Sequence, residues 1–241
     1  MKVYWLEQTE ADVPEENNWL SANEALCLNG LHFAQRRADW RLGRWTAKRA
    51  LCACLEVPDQ PQVFRKIDIR PAPSGAPEAF FDNQPAAVTI SLSHRAGVAA
   101  CAVVNSHVEM GCDLEMVEPH SDAFVAEYFT LEEQALVARA SAADRDRLLA
   151  LLWSAKESAL KALRAGLRLD TRCVIVSPFP ASYDLNGWSR LLVRYSGTRI
   201  FHGWWQHTDN ILRTVVADPP PDSPIPVTIP RHFFDVVSRC A

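Results

Sequence analysis

The sequence is short of several things that would each fix a class at once. It has no C-x-x-C pair among its seven cysteines, Cys27, Cys52, Cys54, Cys101, Cys112, Cys173 and Cys240, which argues against a zinc site. Several of these cysteines lie inside apolar helix or strand patterns, so reduced, buried thiols are expected rather than disulfides. No apolar run reaches membrane-spanning length, and the start, MKVYWLEQTEAD, meets acids too soon for a secretory leader. A cytoplasmic protein with no membrane partner is therefore expected. There is no positive charge excess either: the formal net charge is −4, which gives no global case for nucleic acid. No internal repeat is evident. Any anionic ligand must then be held by a local basic patch.

What is present is an ordinary globular composition, 241 residues at 48% hydrophobic, enough to bury one large domain or two small lobes. The most informative stretch is DRDRLLALLWSAKESALKALRAG, starting at Asp146. Leu149, Leu152, Leu160 and Leu163 recur at three- and four-residue spacing, which predicts an amphipathic helix stopped near Gly166. Trp153, Glu157 and Lys161 follow one another by four residues along a neighbouring stripe, while Lys156 lies within the leucine stripe. Taken alone, Glu157 and Lys161 are an ordinary surface ion pair.

A second stretch changes their meaning. In HVEMGCDLE, Val108, Met110, Cys112 and Leu114 alternate with Glu109, Gly111, Asp113 and Glu115, the period of a half-buried strand. Asp113 and Glu115 then project from one face about 7 Å apart. A solvated strand face would account for them, but hard carboxylates with room left for water and phosphate oxygens also suit Mg²⁺.

Along the rest of the chain, Lys2 to Leu6 reads as a strand, and Ser21 to Glu24 has capping-box spacing for a short helix ending near Gly30. Phe33 to Leu55 reads as a long helix with Arg37, Arg41, Arg44 and Lys48 in a basic stripe, either a solvated face or a surface for a phosphorylated ligand. A Pro-rich stretch, 57 to 85, surrounds a short strand near Phe64 to Ile69. Strands at 87 to 93 and 98 to 104 follow, the first ending on Ser93-His94-Arg95. Asn105-Ser106 suits a hairpin turn, which would set the Asp113 strand antiparallel to Val98–Val104. Thr130-Leu131-Glu132-Glu133 opens another helix as a capping box, and Ser141-x-x-Asp144 caps the central helix. Four strands at 173–176, 191–195, 200–205 and 211–217 should form an antiparallel sheet against that helix. A Pro-rich tail from Asp218 carries HFFDVV, whose apolar residues could dock back.

Two motifs, G-x-D-x-E at Gly111, Asp113 and Glu115 and W-x-x-K-E-x-x-x-K at Trp153, Lys156, Glu157 and Lys161, occur in this order some forty residues apart. With Arg37, Trp40, Gly43-Arg44 and Lys48, they resemble the 4′-phosphopantetheinyl transferase family, specifically its larger Sfp-type members, over roughly residues 30 to 175. The resemblance implies an α+β fold of two pseudo-symmetric lobes with the active site in the cleft between them. The lobes would be an N-terminal, coenzyme A-binding one (1–106) and a C-terminal, catalytic one (107–218), followed by the tail 219–241. It also implies transfer of 4′-phosphopantetheine from coenzyme A to a serine of an acyl, peptidyl or aryl carrier protein by a Mg²⁺-dependent, monomeric enzyme.

By the same resemblance Asp113, Glu115 and Glu157 would hold the metal. Glu157, Lys161 and Glu133 would take part in catalysis, with Glu133 matching a Glu that approaches the metal although its spacing also fits a cap. Arg37, Arg41, Arg44, Lys48, Ser93, His94, Lys156 and Lys161 would bind coenzyme A. The loop Ser74-Gly75-Ala76-Pro77 departs from the family, which often carries a cation before its proline; Arg70 could replace it. A Mg²⁺-dependent phosphoester hydrolase or a non-catalytic carrier-binding module would use similar residues.

Overall fold

The computed structural model describes residues 1–179, 183–196 and 198–228. The chain opens with β1 (Tyr4–Thr9), a 3-10 turn (Glu10–Asp12), α1 (Ala22–Asn29), α2 (Ala34–Leu55) and the single-turn α3 (Pro61–Phe64). The strands β2 (Ile67–Pro71), β3 (Pro77–Phe81), β4 (Gln84–Pro85), β5 (Thr89–Arg95) and β6 (Val98–Val104) follow. After them come β7 (Glu109–Met116), α4 (Asp122–Tyr128), α5 (Leu131–Arg139) and α6 (Ala142–Ala162). The chain then runs through β8 (Val174–Pro178), β9 (Ser189–Tyr195), β10 (Arg199–Thr208), β11 (Ile211–Asp218) and the two-residue β12 (Ile225–Pro226). The α+β class expected from the sequence is what the structure has.

The local reasons are those the sequence carries. Ser21, Thr130 and Ser141 each accept the backbone N–H three residues on, at Glu24, Glu133 and Asp144, so each helix starts where its cap stands. The α6 helix ends earlier than Gly166, because Arg164 already takes a left-handed backbone, φ 53°. Near residue 64 the chain forms the turn of α3 before β2 begins, since Pro61 suits a first helical position.

Two main sheets face each other. One runs β12-β1-β6-β5 and the other β7-β11-β10-β9-β8, with β2-β3-β4 as a small third sheet. Trp45, Leu51 and Phe64 cover one side of the first sheet through Leu6, Ile90, Cys101 and Val103. Leu149, Leu152 and Leu160 of α6 cover one side of the second through Val193, Phe201 and Val216. Between the sheets, Trp5, Ala100, Ala102 and Val104 meet Met110, Cys112, Leu114 and Val215. The order of layers is thus α2, sheet, sheet, α6, and burial of both faces of each sheet explains their continuous apolar runs.

Two sequence expectations are corrected. The Asp113 strand does not form a hairpin with β6. Asn105-Ser106 instead carries the chain across to the second sheet, where β7 pairs antiparallel with β11, Asp113 opposite Thr214. The tight hairpin is β5–β6, turned by Ala96-Gly97 with positive φ at both. A short internal repeat does exist: Trp45-Thr46-Ala47-Lys48 in α2 and Trp153-Ser154-Ala155-Lys156 in α6. Each of these helices also follows a strand (β1, β7) that pairs with the later strand of a hairpin, β6 of β5–β6 and β11 of β10–β11. Of the tail, residues 225–226 pair in parallel with β1, and HFFDVV lies outside the described residues.

Candidate active site

Gly111 is where the site begins. A Cβ there would stand 1.9 Å from the Ser158 carbonyl oxygen and 2.7 Å from the Ala162 nitrogen, so only glycine lets α6 lie this close to β7. That approach brings Lys161 onto the strand: its ammonium donates to Asp113 Oδ1 at 2.7 Å and to the Cys112 carbonyl at 3.0 Å. Three hydroxyls behind the contact tie helix to sheet, with Ser154 and Ser158 each within 2.8 Å of Thr214 Oγ1. No signal in the sequence singled out this trio.

Asp113 is buried and also accepts the Ser93 hydroxyl at 2.8 Å on Oδ1, while its Oδ2 is buried without a partner among the described residues. Glu157, one turn before Lys161, likewise has a buried, unpartnered Oε1. Glu115 accepts the Trp153 indole N–H at 3.0 Å and stands 3.5 Å from Arg95 Nε. Burial, then the neighbouring Asp113 charge, pushes the Glu115 carboxyl up to about 7, and the same two causes raise Glu157. Burial opposes the charge on Lys161 most strongly, but Asp113, Cys112 and Glu157 together outweigh it and hold the ammonium above its ordinary range. Asp113 thus raises the carboxyls of both Glu115 and Glu157, with Lys161 and Arg95 as counter-charges, and two of the carboxylate oxygens lack a donor among the described residues.

Hard oxygen donors with unpartnered buried lone pairs fit Mg²⁺. As placed, the side chains do not close into a cage: among the described residues no three His, Cys, Asp or Glu groups gather tightly enough to hold a metal ion. Lys161 on Asp113 and Arg95 beside Glu115 stand where that charge would otherwise be met.

The structure separates the other predicted residues sharply. Lys48 is wholly buried, ion-paired with Glu24 and donating to the Trp19 and Phe64 carbonyls, so it cannot reach a ligand. Lys156 is equally buried, bonded to the Thr171 and Val174 carbonyls and paired with Glu133 at 2.9 Å. Glu133 has no free oxygen: Oε2 takes the Thr130 N–H and Lys156, and Oε1 takes the Val176 N–H at 2.9 Å. The catalytic assignment of Glu133 and the coenzyme A assignments of Lys48 and Lys156 are therefore withdrawn. A charge so enclosed serves the packing around it.

The basic stripe of α2 is similarly reduced. Arg37 donates to the Leu28 and Leu31 carbonyls, closing the end of α1, and Arg41 to those of Pro14 and Glu15. Arg44 lies 4.7 Å over Trp40 and has no hydrogen-bond acceptor among the described residues. His94 is exposed, 3.9 Å from Asp39. Ser93 is not offered to a ligand, since its hydroxyl belongs to Asp113. Arg70 is held by Asp68 and Asn83, whereas Arg168 of the second half reaches the Ser74 carbonyl and Arg164 meets Glu78. Cations thus do reach the loop that Ala76 leaves uncharged. Arg95, which sequence reading gave no role, is the cation nearest Glu115.

No helix among the described residues is long and apolar enough to cross a membrane. A comparison with curated proteins gives no match. A family model does match, over residues 109–211, the span from the start of β7 to the start of β11, and its description is the 4′-phosphopantetheinyl transferase superfamily.

Proposed function

From a segment, 109–211, that belongs to the 4′-phosphopantetheinyl transferase superfamily, we propose that the chain moves 4′-phosphopantetheine from coenzyme A to a serine of an apo carrier protein. The observation that carries this reading is the pair of buried oxygens without donors, Asp113 Oδ2 and Glu157 Oε1, flanking the Lys161 ammonium. A site built only for stability would have satisfied them.

Asp113, Glu115 and Glu157 would hold Mg²⁺, which when bound neutralises the coenzyme A diphosphate and orients it. Lys161, fixed by Asp113 and the Cys112 carbonyl, meets the charge on the phosphate oxygens. Glu157, whose carboxyl is raised by burial and by Asp113, accepts the proton of the carrier serine. The serine oxygen then bonds the pantetheine-side phosphorus, the bond to the adenosine-side phosphate breaks, and adenosine 3′,5′-bisphosphate leaves. Of the expected cofactor-binding residues, Arg44, which has no hydrogen-bond acceptor among the described residues, and the exposed His94 would hold its phosphates.

We read the two halves as copies of one lobe, on the shared Trp-x-Ala-Lys segment and the like strand pairings, with the site at their junction. The carrier class and its pathway are read from the family alone. Incubation with coenzyme A, Mg²⁺ and an apo carrier, followed by intact-mass measurement of the carrier, tests the reading. A gain of one phosphopantetheine supports it. Hydrolysis of coenzyme A with an unmodified carrier would select a hydrolase, and binding without either would select a docking module.

A further inference from the structure

The two main sheets meet at their edges in an unusual manner. β5 ends the first sheet and β7 ends the second, and the two strands do not pair through their backbones. Three hydroxyls of β5, at alternate residues, take the place of a ladder. Thr89 Oγ1 accepts the Val108 N–H at 3.0 Å, Ser91 Oγ the Cys112 N–H at 2.9 Å and Ser93 Oγ the Leu114 N–H at 3.2 Å. Period-two spacing puts all three on one face of β5, and each satisfies an edge amide that would otherwise be buried.

Ser93 differs from the other two. While accepting from Leu114, it donates its own proton to Asp113 Oδ1 at 2.8 Å. One carboxylate oxygen is thereby fixed by Ser93 and Lys161, and Oδ2 is left buried and bare. A carboxylate held on one oxygen by two donors cannot rotate freely, so its other oxygen is aimed in advance. This is how groups behind a metal ligand set its orientation.

We propose that Ser93 is a positioning residue for the divalent cation, fixing Asp113 from the opposite sheet, and that Thr89 and Ser91 are the purely structural rungs of the same hydroxyl ladder. The assignment deepens the transferase reading and rests on its metal site. It replaces direct contact between Ser93 and coenzyme A. It also makes cation affinity depend on the first half of the chain, although no proposed ligand lies there.

The ladder supplies its own control. Ser91→Ala and Ser93→Ala each remove one hydroxyl from one buried amide, but only Ser93→Ala releases Asp113. Mn²⁺ alone serves as the probe, with free Mn²⁺ followed by electron paramagnetic resonance, and thermal unfolding is recorded beside it. Both variants should lower Tm, whereas only Ser93→Ala should raise the Mn²⁺ Kd, by about 10- to 100-fold. Ser93→Thr, which keeps the hydroxyl, should restore affinity to within a few fold of wild type; it also covers the case in which Ser93→Ala fails to fold.

Equal Mn²⁺ affinities in wild type and Ser93→Ala would overturn the proposal. So would equal weakening by Ser91→Ala, or a wild-type protein that binds no Mn²⁺. A Ser93-dependent Mn²⁺ site in a protein that leaves an apo carrier unmodified would sink the transferase reading and keep this one.

Discussion

Two buried lysines, one in each half of the chain, set the scaffold apart from the groups we propose as reactive. Lys48 pairs with Glu24, and Lys156 with Glu133. Both glutamates close capping boxes, and each gives its other oxygen to a backbone N–H of a following strand, Ile69 and Val176. Each lysine also donates to two carbonyls and lies over an aromatic ring, Trp19 in one half and Phe129 in the other. A Trp stands three residues before each lysine. The halves diverge at the next position. Arg49 follows Lys48 and is spent on Asp59, whereas Glu157 follows Lys156 and keeps an unpartnered oxygen. Four residues further on, Ala53 stands where the second half has Lys161. The same device locks a cap, a helix and a strand together twice, and the groups we propose as reactive, Glu157 and Lys161, follow it once.

The largest effect should come from breaking that asymmetry at its source. Glu157→Gln should lower the rate of phosphopantetheine transfer by about 10²- to 10⁴-fold with little change in Tm, the scale of losing a positioned proton acceptor. Arg49→Gln, at the corresponding place in the first half, should leave the rate per folded molecule unchanged. A rate assay by carrier mass beside a melting curve separates the two.

Removing either buried lysine should act alike in both halves. Lys48→Met and Lys156→Met each leave a glutamate uncompensated in the interior, so each should destabilise by about 3–5 kcal/mol. Urea denaturation midpoints measure this. Glu133→Gln keeps a cap but loses its ionic partner, and its specific activity per folded molecule should match wild type. A selective loss of activity there would return Glu133 to the active site.

A smaller effect is written in pH. The Glu115 carboxyl is raised from 4.5 to about 7 in the folded protein, so the folded form holds that proton more tightly than the unfolded chain does. Its contribution is present below about pH 4.5 and is lost as pH rises through 7, at most about 3 kcal/mol. Without divalent cation, the urea midpoint should therefore fall between pH 5 and pH 8, and Mg²⁺ should offset the fall by favouring the ionised form. Glu115→Gln should flatten the profile.

The smallest contrast lies within the arginines of α2. Arg44, with no acceptor among the described residues, should on change to Ala raise the KM for coenzyme A by about tenfold or more, the scale of one charge-assisted hydrogen bond. Arg37→Ala should lower Tm instead, because its guanidinium closes α1.

The sequence made the long helices, their caps and most strands legible, because Ser21, Thr130 and Ser141 sit at fixed offsets from their acids and the leucines of α6 keep one period. Spacing put Asp113 and Glu115 on one strand face and Glu157 and Lys161 on one helix stripe, but only the family resemblance turned them into a candidate metal site. The fate of a cation inside a stripe was not legible. Lys48 and Arg44 lie on neighbouring turns of one helix, and only the carbonyls of distant residues 19 and 64 show that Lys48 is enclosed. Pairing was equally opaque: Asn105-Ser106 suits a hairpin locally, yet the partner of β7 lies a hundred residues on. The Trp-x-Ala-Lys repeat went unread because four residues are too few to register without the two buried pairs beside them.

Titration calorimetry of Mg²⁺ into wild type, Glu157→Gln and Glu133→Gln tests most directly that the second buried pair is scaffold and its neighbour is chemistry. The account predicts one divalent site in wild type, its loss in Glu157→Gln and its retention with unchanged affinity in Glu133→Gln. Loss of the site in Glu133→Gln, or its full retention in Glu157→Gln, would contradict it.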